Sequence, residues 1–179
     1  MGKAPGKKPV VVLTVGHSTR PLDEFVSLLR AHEITRVVDV RTVPRSRRNP
    51  QFNRESLPAG LGDIGYVHMP GLGGLRHPKA DSPNTAWRND SFRGFADYMQ
   101  TEEFEKSLEE LIRLAGKDRV AVMCAEALPW RCHRSLIADA LTVRDVAVEH
   151  IFSPTSRKPH RLTSWARVQG TRVTYPSAE

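Results

Sequence analysis

Arg119-Val-Ala-Val-Met-Cys124-Ala-Glu126-Ala-Leu-Pro129-Trp130-Arg131-Cys132-His133-Arg134-Ser135-Leu-Ile-Ala-Asp139-Ala-Leu141 is the stretch from which the fold can be read. The apolar run around Val120 and Val122 has the length and continuity of a strand buried on both faces. It ends in Cys124-Ala-Glu126, and Pro129 interrupts regular structure. A helix is expected from about Cys132, with Leu136, Ile137, Ala140 and Leu141 as its apolar stripe. Strand, loop and helix in that order form half of a β-α-β unit. Both cysteines of the chain, a carboxylate, a histidine and two arginines fall on the strand end and the helix start.

The same alternation runs outward from this stretch. Val10 to Val15 reads as a strand followed by Gly16-His17-Ser18-Thr19. Pro21 suits the first turn of a helix with Phe25, Leu28 and Leu29 inside, and Asp23 and Glu24 suit its positive end. Ile34 to Val40 reads as a second strand running into Arg41. Residues 42–56 form a long loop of arginines and prolines, and a short helix is expected from about Asn53 to Leu61. Ile64 to His68 is a third strand, leading into the glycine turn Gly71-Leu72-Gly73-Gly74. Residues 77–90 look irregular. Helical runs follow over 91–99 and 101–115, with Thr101 as a cap and Gly116 as the stop. Val146 to Phe152 is a fifth strand. The order implies an α/β fold: a single domain with a mostly parallel five-stranded sheet and helices on both faces, a Rossmann-like three-layer sandwich. Residues 1–9 read as a flexible basic lead-in, 10–153 as the domain, and 154–179 as a basic tail packing on the domain or extending from it.

Composition narrows the function. The chain has 179 residues, enough for one core, and a formal net charge of +7. Arg41, Arg45, Arg47, Arg48 and Arg54 form one basic run, and Arg157 to Arg172 another, both without acids. Such runs are either solvated loops or grips for anions. Phe52 within the first run either stacks on a base or pins its loop to the core. No apolar run is long enough to span a membrane or to serve as a signal peptide, so a cytoplasmic protein is expected. Two cysteines are no disulfide framework. In a reducing compartment both are thiols.

In a parallel sheet, ligands bind outside the carboxyl ends of the strands. The first four strands end in His17 and Ser18, in Asp39 and Arg41, in His68 and the glycine turn, and in Cys124 and Glu126. Cys124, Glu126, Cys132, His133 and His17 are therefore the candidates for chemistry. Ser18, Asp39, Arg41, His68, Arg76, Arg134 and Ser135 are the candidates for holding a ligand. The field of a helix N-terminus would favour a thiolate at Cys132, and His133, His17 or Glu126 would serve as acid or base. Each has a structural alternative: Cys124 as a small core residue, Asp39 in an ion pair with an arginine, His17 as a hydrogen-bonded histidine at a strand end. The C-x5-R loop of rhodaneses and phosphatases is missing, because Trp130 and Ala138 stand where its arginine would be. No cofactor is expected. Zinc is the one option, since Cys124, Glu126, Cys132 and His133 include its ligand types, but the C-x7-C-H spacing matches no common structural zinc pattern.

Four motifs in order resemble the domain of unknown function 488 family: Gly16-His17-Ser18-Thr19; Val38-Asp39-Val40-Arg41 with Pro44, Ser46, Pro50 and Phe52; Tyr66-Val-His68-Met-Pro70-Gly-Leu72-Gly73-Gly74-Leu-Arg76; and Met123-Cys124-Ala-Glu126 with Pro129 and Cys132-His133-Arg134. The likeness runs from about residue 11 to about His160. It implies an α/β domain in cytoplasmic, mainly prokaryotic proteins and carries no settled activity. Two readings follow. In the first, an enzyme-like pocket at the carboxyl edge of the sheet binds a phosphate-bearing or nucleic-acid-derived anion and uses Cys/His/Arg chemistry. In the second, the chain is a nucleic-acid-binding module without catalysis, using the arginine-rich loop and the basic tail.

Overall fold

The computed structural model describes residues 9–178, so the expected lead-in over 1–9 lies almost wholly outside it. The described residues form eight strands: β1 (Val11–Gly16), β2 (Arg36–Asp39), β3 (Gly65–His68), β4 (Val120–Cys124), β5 (Ala147–Ser153), β6 (Ser156–Pro159), β7 (Arg167–Gln169) and β8 (Arg172–Thr174). Five helices join them: α1 (Leu22–Ala31), α2 (Leu57–Gly60), α3 (Asp90–Tyr98), α4 (Glu102–Ala115) and α5 (Arg134–Thr142). The main sheet has the order β3-β2-β4-β1-β5-β6, and β7 pairs only with β8. The first five strands run parallel. β6 is antiparallel to β5.

Strand periodicity sorts the core into two layers. A strand turns successive side chains to opposite faces. Leu13, Val15, Val37, Ala121 and Met123 face α1 and α2, where Phe25, Leu28, Leu29 and Leu57 cover them. Val12, Val38, Val120, Val122 and Cys124 face the other way, toward Phe95, Phe104, Leu108, Leu136 and Leu141 of α3, α4 and α5. The expected three-layer α/β sandwich is thus present. Cys124 shares its face with Val120 and Val122, and so looks toward α5 rather than α1.

Three local expectations change. The sheet has six strands, because Ser156–Pro159 folds back on β5. The helix expected over 53–61 shortens to α2, preceded by a 3-10 turn at Pro50–Phe52. The last main helix starts at Arg134, with His133 as its N-cap, so Cys132 lies outside it in extended backbone. Thr101 does cap α4: its hydroxyl accepts the Phe104 amide at 3.3 Å. The irregular stretch 77–90 is pinned by one carboxylate. Buried Asp97 accepts from the Lys79 amide, the Ser82 hydroxyl and the Asn84 side chain.

The tail docks on the domain. The β7–β8 hairpin turns at Gly170, whose φ of +62° favours glycine. Beyond it Tyr175 is wholly buried, and its amide donates to Asn84 Oδ1 at 2.8 Å. Its hydroxyl donates to Asp139 of α5 at 2.7 Å. Asp139 also accepts from His160 Nε2 at 2.7 Å and from the Thr163 amide at 3.0 Å.

Candidate functional site

The carboxyl end of β4 folds tightly onto that of β1. The His17 and Ser18 amides donate to the carbonyls of Cys124 and Ala125, both at 2.9 Å, which extends the parallel ladder past its last register pair. A Cβ on Gly16 would stand 1.8 Å from the Glu126 carbonyl oxygen, so only glycine lets the 125–127 turn settle there. That turn then presents its carbonyls to the start of α5. Arg134 donates from Nη1 to the Glu126 carbonyl and from Nη2 to the Ala127 carbonyl at 3.0 Å. The same Nη1 lies 2.6 Å from Cys124 Sγ.

Arg134 is fully buried, the largest side chain to be so among the described residues. Buried charges are ordinarily paired with an opposite charge. Among the described residues no carboxylate lies within ion-pair reach of Arg134, and its Nε finds no acceptor. The ionisable group that its guanidinium touches is the Cys124 thiol. Cys132 Sγ completes the arrangement, 2.7 Å from Cys124 Sγ. Both cysteines are free. Burial pushes the Cys124 thiol up, but the hydrogen bond from Cys132, the Arg134 charge and hydrogen bond and the Glu126 backbone together outweigh it and bring the pKa down to about 7. Cys132 moves the opposite way: burial, together with the neighbouring Cys124, holds its thiol well above the ordinary value. The expectation of a thiolate at Cys132 is therefore reversed. The Arg134 amide at the helix start does reach that sulfur, at 3.4 Å, but burial and the neighbouring Cys124 outweigh it, and the guanidinium reaches the other sulfur.

His133 supports the pair without carrying charge. Its Nε2 donates to the Leu72 carbonyl at 2.9 Å and the Val40 carbonyl at 3.1 Å. That fixes the tautomer and leaves Nδ1 as an acceptor 3.6 Å from Cys132 Sγ. Burial lowers the ring's pKa to about 4. Gly74 packs against this ring; a Cβ there would lie 2.5 Å from Nδ1. The glycine turn after β3 is thus what allows the histidine to stand between β2 and α5.

A cavity of about 230 Å³ opens on the thiols, lined also by Arg41, Leu75, Phe92, Glu126, Arg131 and His133. A second, of about 370 Å³, adjoins it across Glu126 and Arg131 and reaches Ser18, Thr19 and Arg48. Arg48 and Arg131 lack a carboxylate partner among the described residues. Glu126 is exposed and is the one carboxylate in either lining.

The other sequence candidates are engaged within the fold. Asp39 accepts the Arg41 amide at 3.1 Å, its Nε at 2.9 Å and its Nη2 at 2.7 Å, together with the Tyr66 hydroxyl. This is the ion-pair alternative. Arg41 Nη2 also donates to the Phe52 carbonyl at 2.7 Å, which ties the arginine-rich loop down. Phe52 is wholly buried, stacked on His17 with ring centroids 4.3 Å apart, so it pins its loop and offers no face to a base. His17 donates from Nδ1 to the Ser18 carbonyl at 2.8 Å, and its Nε2 lies 3.4 Å from Arg41 Nη1. Burial drops its pKa to about 4. His68 donates to the Arg41 carbonyl at 2.8 Å. Arg76 lies 3.6 Å over the Tyr98 ring and donates to the Gly73 and Pro70 carbonyls. Ser135 donates to the Cys132 carbonyl at 3.0 Å. Cys124, Cys132, His133, Arg134, Arg41 and Glu126 therefore gather at the thiols, His17 and Ser18 border the adjoining cavity, and His68, Arg76 and Ser135 stand apart. Arg131 was missed as a ligand candidate; its place between Pro129 and Cys132 was the available signal. Among the described residues no three His, Cys, Asp or Glu side chains converge as a metal cage requires, and no helix is long and apolar enough to cross a membrane.

Comparison with curated proteins and with solved structures returned no match. A family model described as "Domain of unknown function DUF488" matches residues 21–141. This span is narrower than the resemblance read from the motifs. It leaves Gly16 to Thr19 and His160 outside and runs from the start of α1 almost to the end of α5, taking in Asp39, Arg41, the glycine turn, both cysteines and Arg134. The chain belongs to the domain of unknown function 488 family.

Proposed function

We propose that the chain is a cysteine-dependent enzyme in which Cys124, as its thiolate, attacks an electrophilic centre of an anionic ligand seated at the carboxyl edge of the sheet. The observation that carries this reading is the wholly buried Arg134 guanidinium on Cys124 Sγ, with no carboxylate among the described residues to neutralise it. A thiolate is the nucleophilic form of cysteine, and an adjacent cation is the usual way to hold it near neutral pH. Arg131 and Arg48 line the neighbouring cavities with unbalanced positive charge and would hold the ligand's anionic group. In the step itself the Cys124 sulfur supplies the electron pair of the new bond, and the departing group leaves with the pair of the bond that breaks. The departing group would take its proton from solvent water in the open cavity, beside the exposed Glu126 carboxylate. Cys132 is the hydrogen-bond donor that holds the Cys124 sulfur in place.

The test is alkylation by iodoacetamide across pH, with the modified residue located by mass spectrometry. Cys124 should react with a midpoint near pH 7, and the fast phase should vanish in Cys124→Ser. Inorganic phosphate should slow the reaction, and Arg131→Ala should remove that protection. Two thiols that titrate in the ordinary range, or remain inert, would overturn the reading.

A further inference from the structure

A cavity larger than the one at the thiols lies on another part of the molecule. It measures about 690 Å³ and lies between the turn after β4, the first turn of α5, β5, β6 and the segment that follows. The chain has three tryptophans, and Trp87, Trp130 and Trp165 all line it. They come from three separate parts of the sequence, so their meeting is a property of the fold. Trp130 is 61% exposed and Trp165 47% exposed. Indole is costly to leave in water, and two open indoles facing one cavity form an unfilled aromatic surface. Phe152 adds a fourth ring, 6.5 Å from Trp130 and tilted 40° to it.

The charges at this cavity have one sign. Lys158, 5.8 Å over the Phe152 ring, and Arg161 belong to the lining, and no Asp or Glu does. Neither cation has an ion-pair partner among the described residues. The floor is polar but closed to chemistry. His150 Nε2 donates to His160 Nδ1 at 2.8 Å, His160 Nε2 donates to Asp139, and the Thr14 hydroxyl donates to His150 Nδ1. All four ring nitrogens are engaged, so the two histidines shape the cavity and leave no lone pair for a metal or a proton transfer.

Aromatic walls that accept a flat ring, with cations beside them and no opposing acid, select a planar heterocycle that carries negative charge. We propose that this cavity binds a nucleobase together with its phosphate, either as a free nucleotide or as a unit of a single strand. Trp130 and Arg131 are neighbours on one turn, yet Trp130 lines this cavity and Arg131 the thiol cavity. The inference therefore stands on its own geometry and holds whether or not Cys124 is a nucleophile.

Because the walls are tryptophan, the full chain reports its own occupancy. Tryptophan fluorescence is titrated with adenosine and uridine monophosphates, with the phosphate-free nucleosides, and with a short deoxythymidine strand, in Cys124→Ser so that thiol chemistry cannot contribute. Saturable quenching by a nucleotide or the strand is expected, with the nucleosides much weaker. Trp130→Ala and Trp165→Ala, both at open positions, should each weaken binding about tenfold by calorimetry. Lys158→Ala with Arg161→Ala should flatten its salt dependence. Saturation by mononucleotides identifies a free nucleotide as the ligand; saturation by the strand alone identifies single-stranded nucleic acid. No quenching by either, or binding unchanged in the Trp130→Ala/Trp165→Ala variant, overturns the proposal.

Discussion

Arg41 and Arg134 are both buried arginines at the carboxyl edge of the same sheet, and they do opposite things to their surroundings. Arg41 follows β2 and meets Asp39 in a bidentate pair, closed further by the Tyr66 hydroxyl and the Phe52 carbonyl. Its charge is balanced where it stands, and its work is to hold the arginine-rich loop. Arg134 opens α5 and meets backbone carbonyls and a sulfur. Its balance must come from an anion that can be made or bound beside it. The difference separates a structural cation from one that confers reactivity, although neither burial nor residue type tells them apart.

The largest effect should come from unbalancing the balanced pair. Asp39→Ala leaves Arg41 buried without its carboxylate and should cost about 3–5 kcal/mol of stability in urea unfolding. Adding Arg41→Met should return a large part of that loss. An Asp39→Ala variant of near-native stability would show that the two arginines do not differ as described. Arg134→Met should act on reactivity instead, lowering Cys124 alkylation at neutral pH by roughly tenfold or more. Arg134→Lys, which keeps the charge, should lie between. Equal rates in all three proteins would end the contrast.

Two smaller effects appear in the dependence of stability on pH. Cys124 titrates at about 7 when folded, against an ordinary value of 9.0. Between these values the unfolded chain holds the proton that the folded one has lost, so stability should rise with pH across this window. Cys124→Ser should remove that rise. On the acid side, burial holds His17 and His133 near 4 and His150 near 3, against 6.5. The unfolded chain takes up their protons first, so stability should fall as pH drops below 6.5 and be lost progressively toward 4. Melting temperatures measured across pH test both, and a flat acid limb would mean that these rings do charge in the folded state.

Much of this was legible in the sequence because it is local. The apolar runs of β1, β2 and β4 and the stripes of α1 and α4 announce themselves by period. Cys124, Cys132 and Arg134 sit in one stretch, so their meeting required only a strand, a turn and a helix. Their roles were not legible. Which sulfur meets the guanidinium depends on the face of β4 that carries Cys124 and on a helix start displaced by two residues. Asp39 was readable as an ion-pair partner because a carboxylate among valines needs one. β6 was hidden because Ser156-Arg157-Lys158-Pro159 has the polar, proline-bearing composition of an edge strand, whose outer side faces water. The tryptophan cavity was hidden for another reason: its walls are brought together by long-range contacts that leave no local pattern.

Asp139 has a consequence for how the molecule opens. The three donors to its wholly buried carboxylate, His160, Thr163 and Tyr175, all come from residues beyond β5. Peeling the tail away would strip a carboxylate in the middle of α5 of every one of these bonds at once. Detachment of the tail should therefore be cooperative, and the amide of Tyr175 should exchange with solvent deuterium far more slowly than that of a free tail. The cooperative unit then extends well past residue 141, where the family likeness ends.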